Sequence, residues 1–84
     1  MKSVSVYTTT YCGFCVAAKN LLKTKGIPFE EIDVTNDPTA RQDIARRSGK
    51  RTVPQIFIGD ESIGGFVELK ALSDKGQLEA KLAE

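Results

Sequence analysis

The chain has 84 residues, of which 12 are lysine or arginine and 11 are aspartate or glutamate, so the formal net charge is +1. Charges this nearly balanced exclude the strongly basic footprint of a nucleic-acid-binding domain or of a membrane-surface protein. The length suits one small domain, which we expect to span residues 1–84, and the absence of a long apolar run after Met1 favours a cytoplasmic protein.

The first predicted elements are a strand and a helix. Residues 3–7 alternate valines with polar residues, the period of a strand, and residues 8–11 form a polar turn. A helical pattern runs from Gly13 to Lys25, and Gly26 is a suitable residue to end it. The apolar face of this helix is expected to contain Phe14, Ala17, Ala18, Leu21 and Leu22.

The two cysteines, Cys12 and Cys15, lie at the start of this helix, and the chain has no others. Unpaired backbone N–H groups and the positive end of the helix dipole stabilise a thiolate there relative to a thiol. A disulfide between them closes a loop too small to stabilise the fold much, which favours a redox role over a structural one. The pair therefore predicts a dithiol redox protein in which Cys12 is the nucleophile and Cys15 attacks a mixed disulfide.

The next two elements extend this beginning to a strand–helix–strand unit with a second helix. Residues 28–34 form a predicted strand, and the order strand–helix–strand implies that the two strands pair in parallel. Asp37 followed by Pro38 is a strong helix start, and this helix runs to about Ser48 and stops at Gly49. We expect it to lie partly exposed, because its apolar face is limited to Ala40, Ile44 and Ala45.

The last third of the chain predicts a hairpin followed by helical segments. Gln55–Ile58 suits a buried strand, and residues 61–63 suit its hairpin partner across a tight turn. Residues 67–72 are helical in pattern, and after a break at residues 74–76 the pair Leu78 and Leu82 indicates a final helical piece. The order β-α-β-α-β-β-α, with a CxxC motif after the first strand, predicts an α/β, thioredoxin-like fold with a four-stranded mixed sheet flanked by helices.

With these motifs, the chain resembles the dithiol glutaredoxins from Val4 to about Leu82. The segments that carry the resemblance are Val6-Tyr7-Thr8, Cys12-Gly13-Phe14-Cys15, Thr52-Val53-Pro54-Gln55-Ile56-Phe57-Ile58 and Ile63-Gly64-Gly65. The resemblance implies a glutathione-disulfide oxidoreductase. Its Cys12 attacks a protein disulfide or a protein–glutathione mixed disulfide, Cys15 resolves the mixed disulfide, and glutathione as co-substrate restores the reduced protein.

The resemblance also implies a glutathione site. Pro54 matches a cis proline, which exposes the N–H and C=O of Val53 to the cysteinyl backbone of glutathione, although an ordinary trans proline also accounts for the position. Glu68 aligns with an aspartate that holds the γ-glutamyl amine, but it is equally suited to cap the helix that follows Gly65. The complete implied set is Phe14, Lys50, Arg51, Thr52, Val53, Pro54, Gly65, Phe66, Val67 and Glu68, with the N–H groups of Phe66 and Val67 expected to bind the γ-glutamyl carboxylate.

Two departures from the family pattern support alternatives. Thr9 stands where a lysine often grips the glycyl carboxylate of glutathione, a role that Lys50 and Arg51 would have to take over. This change and Gly64-Gly65-Phe66 support the alternative of a redoxin that is reduced by thioredoxin reductase and donates electrons to another reductase, whereas Glu68 and Thr52-Val53-Pro54 favour glutathione. Gly13 stands where proline is common, and some glutaredoxins without that proline bridge a [2Fe–2S] cluster between two subunits through the nucleophilic cysteine, here Cys12.

Other patterns in the chain predict less. Two cysteines and no histidine cannot supply the four ligands of a structural zinc site within one chain. Arg46, Arg47, Lys50 and Arg51 form a small basic cluster, which we expect to be a solvated face beside the cleft; the alternative is that it steers anionic glutathione or an acidic partner. The expected partners are glutathione and disulfide-containing or glutathionylated proteins, with no nucleic acid and no membrane, and the protein is expected to be a monomer unless a cluster is bridged.

Overall fold

The computed structural model describes residues 1–84 and contains one four-stranded sheet. Its strands are β1 (Val4–Thr8), β2 (Glu30–Asp33), β3 (Gln55–Ile58) and β4 (Glu61–Gly64), in the spatial order β2-β1-β3-β4. Strand β1 pairs in parallel with β2 and antiparallel with β3, and β3 pairs antiparallel with β4. The predicted mixed sheet is confirmed, with the central strands β1 and β3 covered on both sides by neighbours.

Four helices complete the fold: α1 (Gly13–Thr24), α2 (Pro38–Ser48), α3 (Phe66–Asp74) and α4 (Leu78–Ala83). The start of α2 is set by Asp37, whose carboxylate accepts the N–H of Ala40 at 3.0 Å, and its end by Gly49 at φ 77°. Both signals were predicted from local sequence. The predicted break in the final helical region separates α3 from α4, and no helix has the length and apolar character needed to cross a membrane.

The sheet separates two apolar cores. Because alternate residues of a strand point to opposite faces, Ile56 and Ile58 pack with α1, α3 and α4, whereas Phe57 packs with Val34 and with Ile44 of α2. All four residues of β3 are buried, as its continuous apolar pattern predicted. Helix α2 buries only Ile44, so the prediction that it lies partly exposed is also confirmed.

The predicted apolar face of α1 was wrong for one residue. The buried residues of α1 are Cys15, Ala18 and Leu22, whereas Phe14 is 63% exposed. Phe14 lies on the same side of the helix as the buried Ala18 but in the first turn of α1, at the end of the helix where the two cysteines lie. Phe14 instead stacks on Phe66 at the start of α3, with ring centroids 6.1 Å apart.

Candidate active site

Cys12 is the N-cap residue of α1. Its backbone is extended (φ −113°, ψ 105°), and its Sγ accepts a hydrogen bond from the N–H of Cys15 at 3.1 Å. The first turn of α1 contains no acidic residue, so no carboxylate neutralises the positive end of the helix dipole. This confirms the predicted position of Cys12 at a helix start, where an anionic sulfur is stabilised.

The second cysteine lies directly beneath the first. The two sulfur atoms are close to disulfide distance, and the Cα atoms are 5.2 Å apart, within the usual range for disulfides. Cys15 is only 2% exposed, whereas Cys12 is partly exposed. A reactant from solution therefore reaches Cys12, and Cys15 reaches Cys12 from inside the protein.

The loop before β3 lies against Cys12. The Val53–Pro54 peptide bond is cis, as the family resemblance predicted, and Pro54 is buried. The carbonyl oxygen of Val53 lies 3.7 Å from the Sγ of Cys12, close enough to accept a weak hydrogen bond from the Cys12 thiol. The loop thus presents backbone polar groups at the reactive sulfur.

The start of α3 meets the same loop. A Cβ atom placed on Gly65 would lie 3.4 Å from the carbonyl oxygen of Pro54, which is van der Waals contact, so the start of α3 lies directly against this loop. The stack of Phe14 on Phe66 joins this helix start to α1. The structure therefore brings three separate segments together, the starts of α1 and α3 and the loop between them, and Val67 stands 68% exposed at their edge.

Glu68 lies in the first turn of α3, and its side chain folds back to the N-terminus of the same helix. Its Oε1 accepts the N–H of Gly65 at 2.7 Å, and this hydrogen bond is the main reason why the pKa of Glu68 lies below its ordinary value, with the charge of Lys50 adding to the effect. A carboxylate three residues into a helix that accepts the N-cap N–H is half of a capping box. The helix-capping role considered for Glu68 is thus observed, while its contact with a γ-glutamyl amine stays a prediction.

The predicted carboxylate-binding residues lie around this centre in different places. Lys50, Arg51 and Thr52 are exposed, and the charge of Lys50 acts on Glu68, on the α3 side of the site. Thr9 lines a separate open groove of about 450 Å³ that also contains Cys12 and Lys19. Neither Lys50 nor Arg51 lines this groove, and their contact with a glycyl carboxylate stays a prediction.

The prediction that the basic cluster is a solvated face is confirmed, since all four of its residues are exposed, and Arg47 makes an additional contact. Its guanidinium lies 4.5 Å from the centroid of the Phe57 ring and pairs with Asp43, with N–O distance 3.4 Å. A planar, weakly hydrated guanidinium stacks readily on an aromatic face. Arg47 thus packs on Phe57 while remaining exposed to solvent, and the steering of anionic glutathione stays a prediction.

Two residues of this region were missed by the sequence reasoning. Tyr11, immediately before Cys12, has φ 62° and a fully exposed side chain. Gln55 is 0% exposed, and its Oε1 has no hydrogen-bond partner, a condition that costs about 1–3 kcal/mol. Gln55 could have been noticed as a lone polar residue before the apolar residues 56–58 of a buried strand. Nothing in the sequence indicated the positive φ of Tyr11.

The residues of one chain do not fit an iron–sulfur cluster. No three Cys, His, Asp or Glu side chains lie close enough together to hold a metal ion, and Cys15 is buried. A cluster would have to be held by Cys12 from two copies of the chain together with other thiols.

Sequence comparison identifies relatives over the whole chain. The glutaredoxin family model matches residues 4–63. A glutaredoxin from Pseudomonas aeruginosa is 45% identical over 83 residues, which cover 99% of each chain. Glutaredoxin 3 from Escherichia coli is 42% identical over 82 residues, covering 98% of this chain and 99% of the relative.

Solved structures agree with these relatives. The solution structure of glutaredoxin from Brucella melitensis matches with a TM-score of 0.87 at 43% identity, covering all of this chain and 94% of that one. A buckwheat glutaredoxin–glutathione complex matches with a TM-score of 0.89 at 28% identity, covering 98% of this chain and 77% of that one. With its paired cysteines at the start of α1, the chain belongs to the glutaredoxin family and is a thiol–disulfide oxidoreductase.

Proposed function

We propose that the protein reduces protein–glutathione mixed disulfides and protein disulfides, with glutathione as the reductant. The observation that carries this proposal is the position of the Cys12 sulfur. It lies 3.1 Å from a helix-terminal N–H and 3.7 Å from the backbone carbonyl of Val53, beside a cis proline. The similar buckwheat protein, whose structure is that of a complex with glutathione, supports glutathione as the ligand.

The first route uses Cys12 alone. The Cys12 thiolate attacks the glutathione sulfur of a glutathionylated protein, so a Cys12–glutathione disulfide forms and the substrate thiolate leaves and takes up a proton. A second glutathione, as its thiolate, then attacks the sulfur of the bound glutathione. Oxidised glutathione leaves, and Cys12 returns to its thiolate, which the N–H of Cys15 stabilises.

The second route uses both cysteines. Cys12 attacks a protein disulfide and forms a mixed disulfide with the substrate. Cys15, as its thiolate, then attacks the Cys12 sulfur, which releases the second substrate thiol and leaves a Cys12–Cys15 disulfide for two glutathione molecules to reduce. Because Cys15 is buried and its sulfur lies close to that of Cys12, it reacts within the protein rather than with outside thiols.

The proposed glutathione pose uses the three converging segments. Val53 pairs through its backbone N–H and C=O with the cysteinyl unit, and the N–H groups of Phe66 and Val67 bind the γ-glutamyl carboxylate at the start of α3. Glu68 binds the γ-glutamyl amine, and Lys50 and Arg51 bind the glycyl carboxylate. We also propose a cytoplasmic location, since this cycle consumes the reduced glutathione of a reducing compartment, and a monomer, since both cysteines and the Val53 loop belong to one chain.

A glutathione-coupled assay on wild type, Cys12→Ser and Cys15→Ser tests the proposal. Cys12→Ser should be inactive with both substrate types, because a hydroxyl does not replace the nucleophilic thiolate. Cys15→Ser should keep its reduction of a glutathionylated peptide and lose its reduction of a protein disulfide. Since Cys15 is 2% exposed, Cys15→Ala is the matched control that avoids burying an unpaired hydroxyl.

The alternative reductant is tested in the same assay. Replacing glutathione and its reductase by thioredoxin reductase should lower the rate of the wild-type protein. A faster reaction with thioredoxin reductase would overturn glutathione dependence and support the alternative that Thr9 raised. Iron and visible absorption in anaerobically purified protein would in turn support a bridged cluster at Cys12.

A further inference from the structure

Gln55 is a buried polar residue in an otherwise apolar strand. It is the first residue of β3 and is 0% exposed. The three apolar residues after it, Ile56, Phe57 and Ile58, are at most 1% exposed. Its Oε1 has no hydrogen-bond partner. A buried acceptor without a partner lowers stability, so an apolar side chain of similar length would serve the strand better if packing were its only role.

The other end of the same amide holds the loop at the active site. The Nε2 of Gln55 donates to the carbonyl oxygen of Thr52 at 2.9 Å and lies 3.4 Å from the hydroxyl of Thr52. These contacts span Val53 and Pro54, so the amide closes a ring around the cis peptide bond. The Val53 carbonyl inside that ring lies 3.7 Å from the Cys12 sulfur.

The two ends of the Thr52–Pro54 loop differ in how they are held in place. Thr52 has an exposed side chain, so the apolar core does not hold this residue in place. Pro54 is buried and anchors the far side of the loop. The hydrogen bond from Gln55 therefore supplies the interior attachment on the Thr52 side, and Val53 lies between the two attachments.

We propose that Gln55 is a positioning residue, whose amide N–H holds Thr52 so that Val53 presents its backbone to the substrate atoms joined to Cys12. The proposal rests on the proposed function, because it takes glutathione as the group that Val53 binds. The unpartnered Oε1 is then the cost of keeping a donor at this place. Stability and substrate binding should accordingly respond to Gln55 in opposite directions.

Gln55→Met is the first test, since methionine has a similar length and no donor. The melting temperature should equal or exceed that of wild type, because the unpaired acceptor is gone and the Thr52 carbonyl can be hydrated. The KM for a glutathionylated peptide should rise about 3- to 10-fold, the scale of one lost hydrogen bond, with kcat changed less. A merely structural role would instead lower the melting temperature and leave KM unchanged.

Gln55→Glu supplies a pH readout. A protonated carboxyl can donate to the Thr52 carbonyl oxygen and an ionised one cannot, and burial favours the protonated form. The ratio of the variant's KM to the wild-type KM should therefore fall toward one as the pH is lowered. A ratio that does not change with pH would contradict the donor role.

Ile58→Val is the matched control in the same strand. Ile58 is 1% exposed and pairs with Val4 and Glu61, away from the loop, so this variant should lower the melting temperature with an unchanged KM. If Ile58→Val and Gln55→Met raise KM equally, the positioning role is overturned.

A measurement without glutathione separates the two proposals. In the free reduced protein, NMR order parameters of the Thr52 and Val53 amides should be lower in Gln55→Met than in wild type. Unchanged order would overturn the positioning role, whichever reductant the protein uses. Inactive wild-type protein in the glutathione assay together with this loss of order would overturn the proposed function and leave the positioning role supported.

Discussion

Helices α1 and α3 begin with similar backbones and different side chains. Each N-cap follows a residue of positive φ, Tyr11 at 62° before Cys12 and Gly64 at 114° before Gly65. Each N-cap also lies against the loop that contains the cis proline. At α1 a sulfur accepts a helix N–H, whereas at α3 the carboxylate of Glu68 accepts the N–H of Gly65.

The difference shows how two similar helix starts acquire different chemistry. The start of α3 carries its own negative charge, Glu68, in its first turn. The first turn of α1 contains no acidic residue. The Cys12 sulfur therefore does not compete with a carboxylate for the helix dipole and the N–H of Cys15. A helix N-terminus without a carboxylate can stabilise the thiolate of a capping cysteine. A helix N-terminus that already has a carboxylate cap is stabilised by that carboxylate.

The largest effect on stability is expected at Gly64. A Cβ there would lie 2.8 Å from the Glu68 carboxylate, and φ 114° is strained for any other residue. Gly64→Ala should lower the free energy of unfolding by about 1–3 kcal/mol in urea denaturation. Gly13→Ala is the control in α1, because a Cβ at Gly13 meets nothing within 4 Å, and it should stabilise by about 0.4–1 kcal/mol by restricting the unfolded chain. Equal changes in the free energy of unfolding at the two glycines would show that the positive φ and the close contact at Gly64 do not matter.

The cap of α1 can be measured through two substitutions at Cys12. Serine is a strong N-cap residue and alanine is not, so reduced Cys12→Ser should be about 1 kcal/mol more stable than Cys12→Ala. Both variants lack the nucleophile, so their difference reports the hydrogen bond to the Cys15 N–H rather than catalysis. Thermal denaturation under reducing conditions measures it, and identical stabilities would show that residue 12 does not cap the helix.

Tyr11 tests whether the positive φ before α1 costs stability. Its side chain is fully exposed, so substitution loses little packing. Asparagine tolerates this backbone region, and a β-branched residue does not. Tyr11→Asn should stabilise by about 0.5 kcal/mol and Tyr11→Val should destabilise by a similar amount. Denaturation midpoints that do not separate the two variants would contradict the strain.

The smallest effect is expected from Glu68, as a function of pH. Its folded pKa is lowered, chiefly by the N–H of Gly65, so its stabilisation is complete above the ordinary value of 4.5 and is lost as the pH falls through the lower folded value. Relative to Glu68→Gln, the exposed carboxylate should contribute about 0.5 kcal/mol at neutral pH. Denaturation of both proteins from pH 7 to pH 3 measures this difference, which should shrink as the pH is lowered. A stability difference between the two proteins that grows as the pH is lowered would contradict the lowered pKa of Glu68.

The sequence by itself determined the order of strands and helices, the ends of α2 and the position of Cys12 at a helix start. These features depend on the period of apolar residues and on caps, which are interactions between residues close in the chain. The cis bond at Pro54 was predicted from resemblance to a family, because the sequence alone favours a trans bond.

Only the tertiary structure decided the surroundings of three side chains near the site and under α2. It turned Phe14 out of the core, stacked Arg47 on Phe57, and buried the amide of Gln55 behind the active-site loop. Phe14 contacts Phe66 and Arg47 contacts Phe57, which lie in other elements, and Gln55 is buried by the elements packed around β3 although its hydrogen-bond partner Thr52 is near in sequence. Those choices follow from packing between segments distant in the chain, which local periodicity and capping do not encode.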